Sequence, residues 1–174
     1  GGGGTMDSAP AVFPTELGLP ARTDAQDPVA VPRLVGTMRG RRYFEDSLGA
    51  CVFTTRVRLD VLCRSLEAAT GWDIRRDEAM TNGRRTATLL RAFNLRCGIG
   101  PELERPSKRY GSTPVDGPLK GVGIMEHWEK ILDVWYETVG YDRKSGRPTP
   151  ETLAELDLDE LIEPLWGKEA AAKV

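Results

Sequence analysis

The residues best suited to chemistry lie in one short stretch, Asp46-Ser47-Leu48-Gly49-Ala50-Cys51, which has the form D-x-x-G-x-C. A carboxylate accepts hydrogen bonds from a polar heterocycle, and glycine lets the backbone approach a flat ligand closely. A cysteine thiolate can ligate iron. The stretch alone leaves two interpretations open, because a single cysteine is commonly a small buried hydrophobic residue and not a cofactor ligand.

The other two cysteines, Cys63 and Cys97, are widely spaced and form no C-x-x-C pair of the kind found in self-contained zinc or iron–sulfur sites. A cluster held by Cys51 would therefore need its other ligands from elsewhere. Cys63 falls on the apolar side of a predicted helix, so we interpret it as a core residue. His127 is the only histidine, and without an orienting partner in the sequence it is not expected to be catalytic.

Five further sequence blocks follow the D-x-x-G-x-C stretch in order. They are Thr70-Gly71-Trp72-Asp73, Gly83-Arg84-Arg85, Leu89-Leu90-Arg91-Ala92-Phe93-Asn94-Leu95-Arg96, Gly117-Pro118-Leu119-Lys120-Gly121 and Pro148-Thr149-Pro150-Glu151-Thr152-Leu153. Their order and spacing resemble the last domain of the aldehyde:ferredoxin oxidoreductase family, the tungsten-pterin enzymes. The resemblance runs from about Phe13 to about Leu158.

The resemblance implies roles for four residues. Asp46 matches the carboxylate that hydrogen-bonds the pterin, and Gly49 and Ala50 match the backbone positions that line it. Cys51 matches the fourth ligand of a [4Fe–4S] cluster that lies beside the pterin. The family usually has leucine at the position of Ala50 and Gly-Glu-Arg at that of Gly83-Arg84-Arg85, which are departures from the pattern.

The implied activity is interconversion of aldehydes and carboxylic acids at a tungsten (or molybdenum) bis-pterin, with electrons leaving through the cluster to ferredoxin. This chain would be the helical, cofactor-covering last domain. Upstream domains would supply the other three cluster cysteines and the acid–base residues. We therefore expect no catalytic residue and no ligand of the tungsten in this chain, and no activity from it alone.

Two other functions fit the same residues. Tungsten-dependent reduction of an aromatic acyl-CoA uses a similar scaffold, and the substrate pocket is mostly outside this segment. A cofactor-free helical assembly module is the more distant alternative. Retention of both Asp46 and Cys51 argues against it, and the departures at Ala50 and Arg84 argue slightly for it.

Composition sets broader limits. The 174 residues suit one domain that holds a core without disulfides or metals. A formal net charge of −2 argues against a strongly basic nucleic-acid surface. The sequence carries no apolar stretch long enough for a membrane span and no secretory signal pattern, so we expect a cytoplasmic protein that binds no membrane.

The sequence predicts three parts: a flexible glycine-rich lead (1–12), a mainly α-helical domain (13–165) and a fraying tail (166–174). Five helices are predicted. The first runs from Pro32 to about Glu45, the second ends at Gly71, the third runs from Asp77 to Arg96 and the fourth from Gly123 to Val139. The fifth begins at Pro150, where Thr149 can cap the first turn. Residues 98–121 form a long irregular stretch, which we interpret as a cover with Lys120 on its surface.

The apolar pattern predicts which helix faces point inward. The expected inward residues are Leu34, Val35, Met38 and Phe44 in the first helix, Ala79, Gly83, Thr86, Leu90 and Phe93 in the third, and Met125, Trp128, Leu132, Trp135 and Val139 in the fourth. Two arginine sets accompany them. We interpret the first set either as a solvated helix face or as a contact for phosphates or a partner's acidic groups; it comprises Arg39, Arg41 and Arg42. We interpret the second set as ion-pair donors to neighbouring helices; it comprises Arg84, Arg85, Arg91 and Arg96.

Overall fold

The computed structural model describes residues 23–24, 26–49 and 59–172. Its helices are α1 (Ala30–Ser47), α2 (Leu59–Thr70), α3 (Arg76–Arg96), α4 (Trp128–Val139), α5 (Pro150–Glu155), α6 (Ile162–Trp166) and α7 (Lys168–Ala171). Short 3-10 turns occur at Pro101–Leu103, Ile124–His127 and Asp159–Leu161. The only strand-like pairing in these residues is an isolated bridge between Tyr141 and Pro148, so the mainly α prediction is confirmed.

Local sequence explains where the helices begin and end. Asp27 Oδ1 accepts the N–H groups of Val29 and Ala30 at 2.8 and 2.9 Å, which satisfies free donors at the start of α1 and lowers the pKa of Asp27. Thr149 Oγ1 accepts the Thr152 N–H at 3.2 Å and Pro150 follows it, so the predicted cap of α5 is confirmed.

Helix α1 packs against both α3 and α4, and the crossing of α1 and α3 is very close. A Cβ atom added to Gly83 would lie 1.7 Å from the Gly40 carbonyl oxygen and 2.9 Å from the Phe44 nitrogen. A Cβ added to Gly40 would lie 2.3 Å from the Met80 carbonyl oxygen. The two helices therefore meet backbone to backbone, and only glycine fits at these positions.

The inward face of α3 is only partly the predicted one: Ala79 and Gly83 are buried as expected, whereas Thr86, Leu90 and Phe93 are not. Leu90 is 47% exposed and Phe93 is 64% exposed, whereas the buried positions are Ala79, Gly83, Ala87, Thr88 and Ala92. Because small residues let α3 approach α1 closely, the large apolar side chains are placed on the opposite side. The predictions for Val35 and Met125 are also wrong, because both side chains are exposed. In α4 the buried positions are Val134, Tyr136 and Val139.

Three apolar clusters complete the core. One lies under the end of α1 (Phe44, Leu59, Cys63, Ile74 and Ala79), one joins α3 to α5 and α6 (Ala92, Leu153, Leu156, Leu158, Ile162 and Leu165), and one lies at the end of α4 (Tyr136, Val139 and Tyr141). The first cluster supports the part of the chain that carries Asp46.

A polar cluster fastens the irregular segment 98–121 to this core. Glu104, from that segment, accepts hydrogen bonds from Arg91 Nη1 at 2.5 Å and from the Tyr136 hydroxyl at 2.6 Å. Arg91 Nη2 also donates to the Tyr136 oxygen at 2.8 Å, and Trp128 Nε1 donates to the Glu104 carbonyl. Burial and the bond to Glu104 raise the pKa of Tyr136 well above its usual value, so the hydroxyl stays a donor.

Among the described residues, three of the four arginines of α3 form ion pairs, but only Arg84 pairs with a neighbouring helix as predicted. Arg84 binds Glu155 with Nη1–Oε1 at 2.8 Å, Arg85 pairs with Asp157 and also donates to the Leu156 carbonyl, and Arg91 pairs with Glu104. The first two tie α3 to α5 and the turn after it. Arg84, which departs from the pattern that the resemblance implies, thus has an ion-pair partner in this chain.

The Arg84–Glu155 pair predicts a pH dependence of stability. The hydrogen bond from Arg84 lowers the pKa of Glu155 in the folded state, so the contribution of the pair is present above the ordinary glutamate pKa of about 4.3 and is lost as the pH falls below it. Replacing Glu155 with Gln should cost less than about 1 kcal/mol of unfolding free energy at pH 7, since the pair is exposed, and a smaller amount at pH 3, where more of the folded protein carries a protonated Glu155.

Urea unfolding at the two pH values measures this difference. Glu151→Gln is the control, because Glu151 is an exposed glutamate of the same helix with no ion pair among the described residues. The prediction would be contradicted if Glu155→Gln lowered the unfolding free energy by the same amount at pH 7 and at pH 3.

Candidate functional site

The last turn of α1 presents Asp46 to solvent. Its Oδ2 atom accepts a hydrogen bond from Arg42 Nε at 3.2 Å, and the side chains of Arg42 and Asp46 are 43% and 50% exposed. Ser47 Oγ donates to the Phe44 carbonyl at 2.7 Å, in the same turn. The structure therefore places the predicted carboxylate at the end of a regular helix, where a ligand can reach it.

The turn that follows is open at Gly49. The Gly49 N–H donates to the Asp46 carbonyl at 3.1 Å, and the glycine has φ +68°. Left-handed backbone of this kind commonly ends a helix, so part of the glycine's role is local geometry. No described heavy atom lies within 4 Å of the position that a Cβ would take, which leaves the backbone accessible to a flat ligand.

The other two predicted site residues, Ala50 and Cys51, lie outside the described residues. The roles predicted for them stay predictions. Within the part of the chain that the structure describes, no three His, Cys, Asp or Glu side chains form a metal-binding group.

A buried ion pair lies beside Asp46 on the same helix. Arg41 Nε is 2.8 Å from Glu45 Oε1, and the side chains are only 5% and 4% exposed. Burial raises the pKa of Glu45 against the lowering effect of Arg41. The prediction that Arg41 belongs to a solvated face is wrong; its i, i+4 spacing from Glu45 was the signal that could have revealed the pair.

Arg39 also lies inside the structure and not on a solvated face. It donates to the Tyr141 hydroxyl at 3.0 Å and to the Ala87 carbonyl at 3.1 Å. Its guanidinium carbon lies 5.3 Å from the ring centres of both Trp135 and Tyr141. Arg39 therefore joins α1 to α3 and to the segment after α4. Of the three arginines, only Arg42 matches the exposed position expected of the set.

Two of the remaining candidates, Cys63 and Lys120, lie where the sequence predicted. Cys63 is 5% exposed, and burial raises the pKa of its thiol, so it is an unreactive core residue as predicted. Cys97 is exposed. His127 and Lys120 are also exposed. None of the described helices is both long and apolar enough to cross a membrane.

Comparison with known proteins identifies the family to which this helical domain belongs. A family model described as aldehyde ferredoxin oxidoreductase, domains 2 & 3, matches residues 2–158. The chain belongs to the aldehyde ferredoxin oxidoreductase family. The resemblance derived from the sequence is thereby confirmed, and the helical architecture is consistent with the carboxy-terminal part of that family.

Individual members of the aldehyde ferredoxin oxidoreductase family are similar over most of the chain. The tungsten-containing aldehyde ferredoxin oxidoreductases of Pyrococcus horikoshii and Pyrococcus abyssi are each 31% identical over 155 residues, which is 87% of this chain and 25% of each relative. That of Pyrococcus furiosus is 32% identical over 118 residues, 66% of this chain and 19% of the relative. The chain thus spans about a quarter of the length of the curated relatives it matches.

Proposed function

We propose that this chain is the carboxy-terminal, cofactor-covering domain of a tungsten-pterin oxidoreductase that interconverts aldehydes and carboxylic acids. The observation that carries the proposal is the family match over residues 2–158, joined by relatives whose names specify tungsten and aldehyde ferredoxin oxidoreductase. We place the enzyme in the cytoplasm from the sequence analysis alone.

The four described residues of the D-x-x-G-x-C stretch fit a pterin. Asp46 is half exposed, and no described residue donates a hydrogen bond to its Oδ1 atom, so this oxygen can accept N–H groups of the heterocycle. Gly49 offers open backbone three residues further on. In the proposal Asp46 orients the pterin, Gly49 and Ala50 line it, and Cys51 is the fourth cysteine ligand of a [4Fe–4S] cluster.

When bound, the tungsten-pterin group would supply the two-electron chemistry and the cluster one-electron transfer to ferredoxin. The residues of this chain hold and orient these groups and help to exclude water. The remaining domains of the enzyme supply the other three cluster cysteines, the acid–base residues and most of the substrate pocket. The isolated chain is accordingly expected to be inactive.

Metal analysis tests the proposal. The full enzyme containing this domain should carry tungsten and about four irons when purified without oxygen from its native source. A folded enzyme without metal would indicate a cofactor-free assembly module instead. Tungsten together with a partner subunit that binds flavin or further clusters would point to aromatic acyl-CoA reduction.

The cluster ligand has its own test. Cys51→Ser should abolish the electron paramagnetic resonance signal of the reduced [4Fe–4S] cluster and lower the iron content of the full enzyme, because serine replaces a thiolate ligand with a poorer one. Cys97→Ser is the matched control, since Cys97 is exposed and is expected to ligate nothing. An unchanged signal in Cys51→Ser would show that Cys51 is not a ligand.

A further inference from the structure

The structure separates the three arginines of α1 by what they already bind. Arg39 is engaged with Tyr141 and Ala87, and Arg41 is buried against Glu45. Arg42 is half exposed and uses only its Nε atom, which binds Asp46; its two Nη groups have no partner among the described residues. Among these three side chains, the free donors of Arg42 are the ones available to a ligand.

The Arg42–Asp46 pair contributes little to the fold. It is an exposed i, i+4 pair, and such pairs stabilise helices only weakly. Its geometry nevertheless places free N–H donors next to a carboxylate whose Oδ1 has no described hydrogen bond. The end of α1 therefore presents hydrogen-bond donors and acceptors side by side on one exposed surface.

This arrangement complements a pterin cofactor better than Asp46 does alone. The pterin ring has N–H donors, which a carboxylate accepts, but it also has a carbonyl oxygen, and its side chain ends in a phosphate. Those oxygens are repelled by a carboxylate and attracted by a guanidinium, which binds carbonyl and phosphate oxygens through its planar N–H groups. Once other domains cover this surface and exclude water, the attraction between the Arg42 guanidinium and these oxygens becomes stronger, because water no longer screens it.

We propose that Arg42 is a second cofactor-binding residue, donating from its Nη groups to an oxygen of the pterin cofactor whose N–H groups Asp46 accepts. The inference rests on the proposed function, because it requires Asp46 to face the pterin. The oxygen belongs either to the ring carbonyl or to the phosphate, and both would be bound by the same donors.

The test compares three variants of the full enzyme with the wild type by pterin content, measured as the fluorescence of the oxidised pterin, and by tungsten content. Arg42→Met should retain about tenfold less pterin after extended dialysis, with α-helical circular dichroism unchanged, because a charge-assisted hydrogen bond is lost. Asp46→Asn should also lose pterin. Arg33→Met is the control: Arg33 is exposed on the same helix, roughly 13 Å away at 1.5 Å per residue.

Two further variants distinguish the oxygen. Arg42→Lys keeps the charge, so strong retention in that variant indicates the phosphate; Arg42→Gln keeps a neutral donor, so stronger retention there indicates the ring carbonyl. Full pterin in Arg42→Met together with loss in Asp46→Asn would overturn this inference and leave the proposed function standing. Absence of pterin from the wild-type enzyme, or its full retention in Asp46→Asn, would overturn the inference along with the pterin contact on which it rests.

Discussion

Gly83→Ala is expected to destabilise the domain by about 3 kcal/mol or more, a large share of the stability of a single domain. The added methyl would lie 1.7 Å from the Gly40 carbonyl oxygen and 2.5 Å from its carbon. These are backbone atoms of α1, so no side chain can move aside and the two helices must separate. Chemical denaturation followed by circular dichroism measures the loss.

Alanine substitutions at two other glycines serve as comparisons for the stability loss expected of Gly83→Ala. Gly36→Ala should cost less, because the added methyl meets the side chain of Thr138 at 2.9 Å and not backbone. Gly111→Ala should be nearly neutral, because its neighbours are the flexible Met125 side chain at 3.2 Å and a more distant carbonyl. Equal losses in all three variants would show that the glycine contact between α1 and α3 is not special.

Arg91→Met is the second substitution with a large expected effect. Its side chain is 10% exposed and binds Glu104, the Tyr136 hydroxyl and the Gly146 carbonyl. Removing it leaves the Glu104 carboxylate, which is 24% exposed, without its positive partner. Because this carboxylate is largely shielded from water, the change should lower the unfolding free energy by about 3 kcal/mol. We expect lower stability and faster amide hydrogen exchange in residues 98–121.

Arg105→Met is the matched control for this variant. Arg105 follows Glu104 in the same segment, is exposed, and forms no side-chain ion pair among the described residues. The control should leave both stability and hydrogen exchange near wild type. If Arg91→Met left the exchange of residues 98–121 unchanged, Glu104 would not be what fastens this segment to the core.

Helix positions could be predicted from the sequence because caps and breakers are local. The cap at Thr149 and the end of α3 near Arg96 depend on residues within one turn of each other. The inward face of α3 could not be predicted in the same way. A rule that places large apolar residues inside gives Leu90 and Phe93, but the close approach of α1 selects small residues, and that approach involves residues distant in sequence.

The parts of the candidate site that depend on residue type could be predicted from the sequence, whereas those that depend on tertiary packing could not. The D-x-x-G-x-C stretch and the accompanying blocks identified the family and located Asp46 and Gly49 correctly at a helix end. Charge alone could not separate Arg39, Arg41 and Arg42, because their surroundings come from α3, from the segment after α4 and from their own helix. Burial of the Arg41–Glu45 pair is a tertiary property that no short motif encodes.

The glycine crossing of α1 and α3 also bears on how the domain unfolds. Most helix interfaces interdigitate side chains, which can loosen one at a time while the helices stay near each other. At Gly40 and Gly83 the backbones themselves touch, so small separations remove the contact entirely. The two helices should therefore dock or separate as one cooperative unit. The helix end that carries Asp46 would then keep its position until the whole domain unfolds.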